Sequence, residues 1–173
     1  MSKRELKKYI HGLTKKQLEE QILDLYNRFK PVKEYYNFVF NPNEEKLIIE
    51  CKFKINKEYF PTNGRKPKKR RSVAQKYIKK FKLLGVNPYL LADVMLYNIE
   101  VAQKYEANNK VNDSFYTSML KSFDEAINYI KKNSLKSHFN DRLTKITTHT
   151  EKYNWINNIA FERLMPNVIQ SCR

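Results

Sequence analysis

The sequence has few of the residues that interrupt helices or that hold metal ions and disulfides. It contains three Gly, six Pro, two Cys and three His among 173 residues. So few Gly and Pro residues predict few long loops. Cys51 and Cys172 stand 121 positions apart, which fits neither a disulfide framework nor a zinc-binding pattern. We therefore expect no support from either, and we place Cys51 in the core.

Motifs of common catalytic and metal sites are also missing. The chain has no glycine-rich phosphate loop and no Gly-x-Ser-x-Gly nucleophile motif. His11, His138 and His149 are not one helical turn from one another or from a Cys, whereas a transition-metal site needs clustered ligands. We expect surface histidines, no metal, no cofactor and no catalytic residue of a known motif.

Long apolar runs are absent as well. No run approaches the roughly 20 residues that a helix needs to span a bilayer. The first ten residues, "MSKRELKKYI", lack the apolar centre of a signal peptide. We therefore expect a soluble, cytoplasmic protein without membrane insertion, and the sequence leaves its oligomeric state open.

What the chain does have is helical periodicity along most of its length. Ser2 with Glu5, and Thr14 with Gln17, form capping boxes ahead of apolar residues at helical spacing. Helix follows helix with no partnered strand. This order predicts an all-α protein, a single compact domain over residues 1–173 with eight or nine helices.

Later helices are predicted from caps and breakers. Ser72 and Gln75 form a third capping box, and that helix is expected to run from 73 to Gly85. Asn87 and Pro88 begin a helix near 88–106 that is apolar on most sides, so we predict a largely buried central helix. The last two helices are expected at about 135–146 and 152–164, followed by a frayed tail at 167–173.

The segment "KLIIECKFKI" fits two structures. Leu47, Ile49, Cys51, Phe53 and Ile55 alternate with mostly polar residues, as in a strand, whereas 47, 51, 55 and 59 also form a helical stripe. An isolated strand is not viable, and no other segment predicts a partner. We therefore predict a helix over 46–59.

The net charge of +16 is concentrated in one segment. From Lys52 to Lys82 the chain carries thirteen Lys or Arg and one acid, Glu58, which gives +12, while the other 142 residues carry +4. We name Lys52–Lys82 the basic segment. Such a patch attracts nucleic-acid phosphates, anionic membranes or acidic proteins.

The basic segment is centred on a loop predicted at 61–71, which overlaps the stretch "NGRKPKKRRS" at 63–72. Cations there are unfavourable beside the positive end of the next helix, so local folding does not require them, whereas they suit a phosphate or carboxylate ligand. Lysines on the following helix extend the charge. The predicted nucleic-acid-binding residues are Arg65, Lys66, Lys68, Lys69, Arg70, Arg71, Lys76, Lys79 and Lys80.

Tyr77 and Phe81 fall on the apolar arc of the same helix, so we expect contact with a phosphate backbone rather than base stacking. The leading hypothesis is non-enzymatic, non-sequence-specific binding of RNA or DNA. The alternatives are a helical module that contacts another protein, such as an acidic one, and an enzyme that uses acidic residues of the central helix.

Those acidic residues form a narrow polar stripe. Asp93, Tyr97, Glu100 and Lys104 lie within about 60° of one another at about 3.6 residues per turn. The two carboxylates could serve a divalent cation or acid–base chemistry. We favour a simpler interpretation, in which this edge reaches solvent or the carboxylates pair with Arg70, Arg71 or other cations of the preceding segment.

Four segments resemble an uncharacterised family of small bacterial proteins. The specific parts are "LADVMLY" at Leu91–Tyr97 and "FYTSM" at Phe115–Met119. The resemblance covers most of the chain and implies one all-helical domain of unknown function, with no activity to carry over. Family members often have a Gly-Trp-Gly-like segment near the end, and "YNWINNIAFE" keeps Trp155 without the glycines.

Overall fold

The computed structural model describes residues 1–62 and 64–165 and is all-helical over them. The predicted all-α fold of eight or nine helices is confirmed. Asn63 and the predicted frayed tail at 167–173 lie outside the described residues. The nine helices of the described residues are α1 (Lys3–His11), α2 (Lys15–Arg28), α3 (Lys30–Phe40), α4 (Glu44–Tyr59), α5 (Arg71–Leu84), α6 (Pro88–Glu106), α7 (Asp113–Lys132), α8 (Lys136–Lys152) and α9 (Asn158–Leu164).

By their internal contacts the residues fall into two units, Met1–Asn43 and Glu44–Arg173. The first unit holds α1 to α3, and none of its helices has a buried residue. Both predicted capping boxes are present, at Ser2 and at Thr14. The Tyr26 hydroxyl on α2 donates to Asn37 Oδ1 on α3 at 3.1 Å. A single domain over 1–173 stays a prediction.

The second unit is built around α6. Eleven of its nineteen residues are buried, and α4, α5, α7 and α8 all pack against it. The predicted central helix is therefore confirmed. Its start is also as predicted, because the Asn87 side chain caps the helix and Pro88 stands in its first turn. A helix buried on most sides must be apolar on most sides, which is the pattern of this stretch.

The ambiguous segment at 46–59 is helical, as predicted. On α4 the buried residues Ile48, Cys51, Ile55 and Tyr59 follow helical spacing. Ile49 and Phe53, which a strand would have placed on the same face as Cys51, are 68% and 53% exposed. Cys51 is fully buried, and burial raises the pKa of its thiol to about 12.

The predicted start of α5 is wrong. The helix begins at Arg71 with Arg70 as its N-cap, and no side chain caps it. Gln75 does not complete a capping box with Ser72, because its amide Nε2 donates instead to Glu125 Oε2 on α7 at 2.8 Å. Tertiary contacts thus override the local signal. The predicted end is confirmed, since Gly85 adopts a φ of 73°.

The boundary between the last two helices is also different from the prediction. α8 continues to Lys152, and α9 starts only at Asn158. Between them the Trp155 backbone N–H donates to Thr150 O at 2.9 Å, and Asn154 takes a φ of 50°. Asn tolerates this left-handed region better than most residues. Asn154 therefore makes the left-handed turn without a glycine, and Trp155 directly after it is buried.

Replacement of Gly85 tests the left-handed stop of α5. Gly85→Ala is expected to lower the free energy of unfolding by about 1 kcal/mol, because a Cβ is disfavoured at positive φ. Apart from residue 85 itself, its two chain neighbours and nearby helix backbone, no atom of the described residues lies within 4 Å of the added Cβ, so backbone strain accounts for the effect. Gly85→Asn should lower the free energy of unfolding by a smaller amount. Urea denaturation measures both, and an Ala variant as stable as the wild type would contradict this assignment.

Candidate functional site

A cleft of about 770 Å³ lies between α4, the segment 61–70 and the first half of α5. We name it the cationic cleft. All of its lining residues belong to the second unit. They are Leu47, Glu50, Lys54, Lys57, Glu58, Pro61, Thr62, Arg65, Lys66, Lys68, Arg70, Val73, Lys76, Tyr77, Lys80 and Phe81.

Helical spacing explains two of the three walls. On α4 the lining residues recur every three or four positions from Leu47 to Glu58, a stripe about 16 Å long at about 1.5 Å per residue. On α5 they recur in the same way from Val73 to Phe81. Each helix turns one face to the core and another to the cleft, and described residues of the loop between them complete the lining.

The lining is strongly positive. Six lysines and two arginines face two glutamates, Glu50 and Glu58. Most of these cations are exposed. The walls thus bring together charge from three separate parts of the basic segment, and a concave site of one sign concentrates the electrostatic field within it.

Glu58 attaches the loop to α4. Its carboxylate accepts from Arg70 Nε at 2.9 Å and from a terminal guanidinium nitrogen of Arg70 at 2.8 Å, which is a bidentate pair. Its backbone oxygen accepts from the Lys69 N–H at 2.9 Å. The hydrogen bonds from Arg70 hold the pKa of the Glu58 carboxyl below its ordinary value. The carboxylate is therefore ionised at neutral pH.

The structure brings six of the nine sequence-predicted binding residues to the cationic cleft, and three lie elsewhere. Lys69 Nζ lies 5.5 Å from the centre of the Tyr105 ring. Arg71 is turned toward α7, where it donates to Ser122 Oγ at 2.8 Å and pairs with Glu125 at 2.7 Å. Lys79 is exposed but does not line the cleft. The six in the lining are Arg65, Lys66, Lys68, Arg70, Lys76 and Lys80.

Sequence reasoning missed the contribution of α4. Lys54 and Lys57 line the cationic cleft although they precede the loop that carried the prediction. Their signal was present in the helical spacing of Leu47, Glu50 and Lys54. The placement of Tyr77 on the buried arc is also wrong, because Tyr77 is partly exposed and lines the cleft, whereas Phe81 is fully buried.

The acidic stripe of α6 is an ion-pair network. Arg142 on α8 binds Glu100 through two nitrogens at 2.8 and 2.9 Å, and Asp93 through a third at 2.7 Å. Lys52 on α4 pairs with the other Asp93 oxygen at 2.7 Å, and its Nζ lies 5.1 Å from the centre of the Tyr97 ring. The network joins three helices of the second unit.

The predicted partners of these carboxylates were only partly right. Lys52 does belong to the basic segment, but Arg70 and Arg71 pair with Glu58 and Glu125 instead. The reason is geometric, since Asp93 lies beside α4 and α8 rather than beside the loop. Neither carboxylate lines the cationic cleft.

One histidine is not at the surface as expected. His149 is partly buried between Tyr153 and Trp155, with Nε2 at 3.9 Å from Glu106 Oε2. Burial lowers the pKa of its imidazole, although Glu106 opposes this effect. Within residues 1–62 and 64–165, no group of three or more His, Cys, Asp or Glu side chains is placed to hold a metal ion. None of the helices in these residues has the length and apolar character to cross a membrane.

Comparison with known proteins assigns the chain to a family. A family model described as "Family of unknown function (DUF6155)" matches residues 1–168. The chain belongs to this family. No curated protein and no solved structure matches it. Membership in DUF6155 confirms the resemblance to an uncharacterised family that the sequence indicated.

Removal of Arg142 is expected to destabilise the second unit. Arg142→Ala leaves Asp93 and Glu100 close together without their shared cation, and we expect a loss of about 2 kcal/mol, between the values for exposed and buried pairs. Arg142→Lys should lose less stability than Arg142→Ala. The matched control is Arg163→Ala on α9, which is exposed and should stay within about 0.5 kcal/mol of the wild type. Urea denaturation measures the free energy of unfolding of the three variants. An equal decrease for Arg142→Ala and Arg163→Ala would contradict a stabilising role for the network.

The lowered pKa of Glu58 predicts a pH-dependent contribution to stability. A carboxyl whose pKa is lower in the folded state stabilises fully above its unfolded pKa, about 4.3 for glutamate. That contribution is lost as the pH falls through the folded value. Glu58→Gln should therefore have a lower free energy of unfolding than the wild type at pH 7, and this difference should become smaller at acid pH. In an Arg70→Ala background the difference should change less with pH. A difference that stays constant from pH 7 to pH 3 would contradict the assignment.

Proposed function

We propose that the protein binds the phosphate backbone of RNA or DNA, without sequence preference, through the cationic cleft. The observation that carries this proposal is the lining itself, with eight cations and two acids around one concave site. A polyanion that enters such a site releases condensed counterions, which is the main source of non-specific affinity for nucleic acids.

The cations available to a ligand come from each wall. Within the described residues Lys54 on α4, Lys66 in the loop and Lys76 on α5 are exposed and take part in no ion pair. Charges without an internal partner add to self-repulsion of the fold and are relieved by an anionic ligand. The three lysines are therefore the first candidates for phosphate contacts.

The kind of cation supports binding without sequence preference. The bidentate fork of arginine binds base edges as well as phosphates, whereas lysine binds phosphate as a point charge. The cleft holds six lysines and two arginines, and Arg70 is already held by Glu58 in a bidentate pair. Backbone contact is the function that this composition favours.

The other hypotheses stay predictions. An acidic protein would be attracted by the same charge, and a helical interaction module would need no nucleic acid. An enzyme that uses Asp93 and Glu100 gains no support from the contacts of these carboxylates with Arg142. A bacterial, cytoplasmic setting would supply RNA and DNA to the cleft.

Salt titration tests the proposal directly. Binding of a fluorescein-labelled 20-residue oligonucleotide is measured by anisotropy at several salt concentrations. The logarithm of the affinity should fall linearly with the logarithm of the salt concentration. Replacement of Lys54, Lys66 and Lys76 by Ala should reduce the slope by about 2 for a single strand, at roughly 0.7 per phosphate contact.

A charge-matched variant is the control for this titration. Lys121, Lys131 and Lys145 are exposed lysines of the second unit outside the cleft, and their replacement by Ala changes the net charge equally. We expect this variant to retain nearly the wild-type slope. Equal slopes for the two triple variants, or no salt dependence in the wild type, would refute binding at the cleft.

A further inference from the structure

We propose that the cationic cleft takes a single strand of RNA or DNA, rather than a duplex, and stacks one base on Tyr77. This inference rests on the proposed function and adds the form of the nucleic acid and the role of one aromatic ring. Shape, apolar lining and the placement of the ring support it independently of the total charge.

The concave shape of the site favours a single strand. The cleft has a volume of about 770 Å³ and is open to solvent along one side, so it is a groove and not an enclosed cavity. A duplex is itself convex and is commonly read by a helix or ribbon that enters its major groove, about 12 Å wide. The cleft is instead a concave groove between two helices. A single strand can lie within this concave groove.

The length of the groove suits a few nucleotides. The stripe on α4 is about 16 Å long, as given by the helical rise. At a spacing of at least about 3.4 Å per phosphate along one strand, this wall spans at most about five phosphates. The α4 wall therefore reaches, at most, the lower end of the site sizes of single-strand-binding proteins, about 4 to 16 nucleotides.

The lining is not only cationic. Leu47, Val73 and Tyr77 contribute apolar and aromatic surface between the lysines of α4 and α5. Contact with phosphates alone gains nothing from such surface, whereas the bases of a single strand expose apolar faces. Cations that follow the backbone together with a ring that stacks a base are the combination by which proteins bind single strands without sequence preference.

Packing orients the Tyr77 ring. The ring packs against Phe81 with centroids 6.0 Å apart at 61°, and the hydroxyl lies 3.4 Å from Glu50 Oε1 on the facing helix, longer than an ordinary O–H···O hydrogen bond. A ring oriented by packing loses less conformational entropy on binding than a freely rotating one. Burial, reinforced by Glu50, raises the pKa of the Tyr77 hydroxyl, so the tyrosine itself stays neutral beside the Glu50 carboxylate.

Cations lie on both walls near the ring. Lys76 precedes Tyr77 on α5, and Lys54 lies on the opposite wall. Both lysines are exposed. A base stacked on Tyr77 would therefore lie near cations of both α4 and α5.

Three probes of matched phosphate number test the inference by fluorescence anisotropy at fixed salt. They are a 24-residue oligothymidylate, a 24-residue abasic strand and a 24-residue hairpin with a ten-base-pair stem. The wild type should bind the oligothymidylate more tightly than the other two. Tyr77→Leu should weaken binding of the oligothymidylate by between about 5-fold and 150-fold, the range for one stacked base, and should not change its salt slope.

Variants at matched positions separate stacking from other effects. Tyr77→Phe keeps the ring and should stay near wild-type affinity. Tyr77→Leu should bind the abasic strand as the wild type does, because that strand has no base to stack. Tyr89→Leu, at an exposed tyrosine outside the cleft, should leave all affinities unchanged. Urea denaturation confirms that each variant is folded.

Two kinds of result distinguish this inference from the proposed function. The single-strand inference is overturned if Tyr77→Leu binds the oligothymidylate as the wild type does, or if the abasic strand or the duplex binds as tightly. It is also overturned if an acidic helical peptide of equal charge displaces the oligothymidylate as effectively as a second strand does. Salt-dependent binding of all three probes would then still support backbone contact, whereas no binding of any probe would refute the proposed function itself.

Discussion

One carboxylate within a strongly basic segment determines the shape of the candidate site. Glu58 is the only acid between Lys52 and Lys82, and it holds both the side chain of Arg70 and the backbone of Lys69. Without this attachment the loop would be repelled by the lysines of α4 and α5. The two helices would still form from their apolar stripes, but the loop would lose the contacts that hold it against α4. The shape of the cleft therefore depends on the attraction of Glu58 for Arg70 and Lys69, which opposes the repulsion among the surrounding cations.

Much of the fold follows from local signals in the sequence. The capping boxes at Ser2 and Thr14, the stop at Gly85 and the apolar circumference of α6 each specify an element before any tertiary contact is considered. The failures occur where a distant residue competes with a local one. Glu125 takes Gln75 away from the predicted cap, and the buried indole of Trp155 forms a turn where periodicity alone continued a helix.

The charge density of the sequence predicted which segment carries the candidate site. A run of cations identified the loop and the first turns of α5, but not which side chains point into a cleft. Arg71 belongs to the run and turns toward α7, whereas Lys54 stands outside it and lines the cleft. A helical wheel assigns each residue either to the core or to solvent, and it does not identify a partly exposed residue that lines a cleft. Tyr77 is such a residue, and the wheel placed it in the core for that reason.

The position of α4 has a consequence for how binding energy is distributed. One face of this helix carries Lys54 toward the cleft, and another carries Lys52 to Asp93 and the Arg142 network. Like charges on the two walls push α4 and α5 apart, while the network and the core hold α4 against α6 and α8. The site is thus electrostatically frustrated, and the remainder of the unit holds it in shape. If the protein binds an anionic ligand as proposed, that ligand would relieve the repulsion between the walls, and the relief would contribute to its affinity.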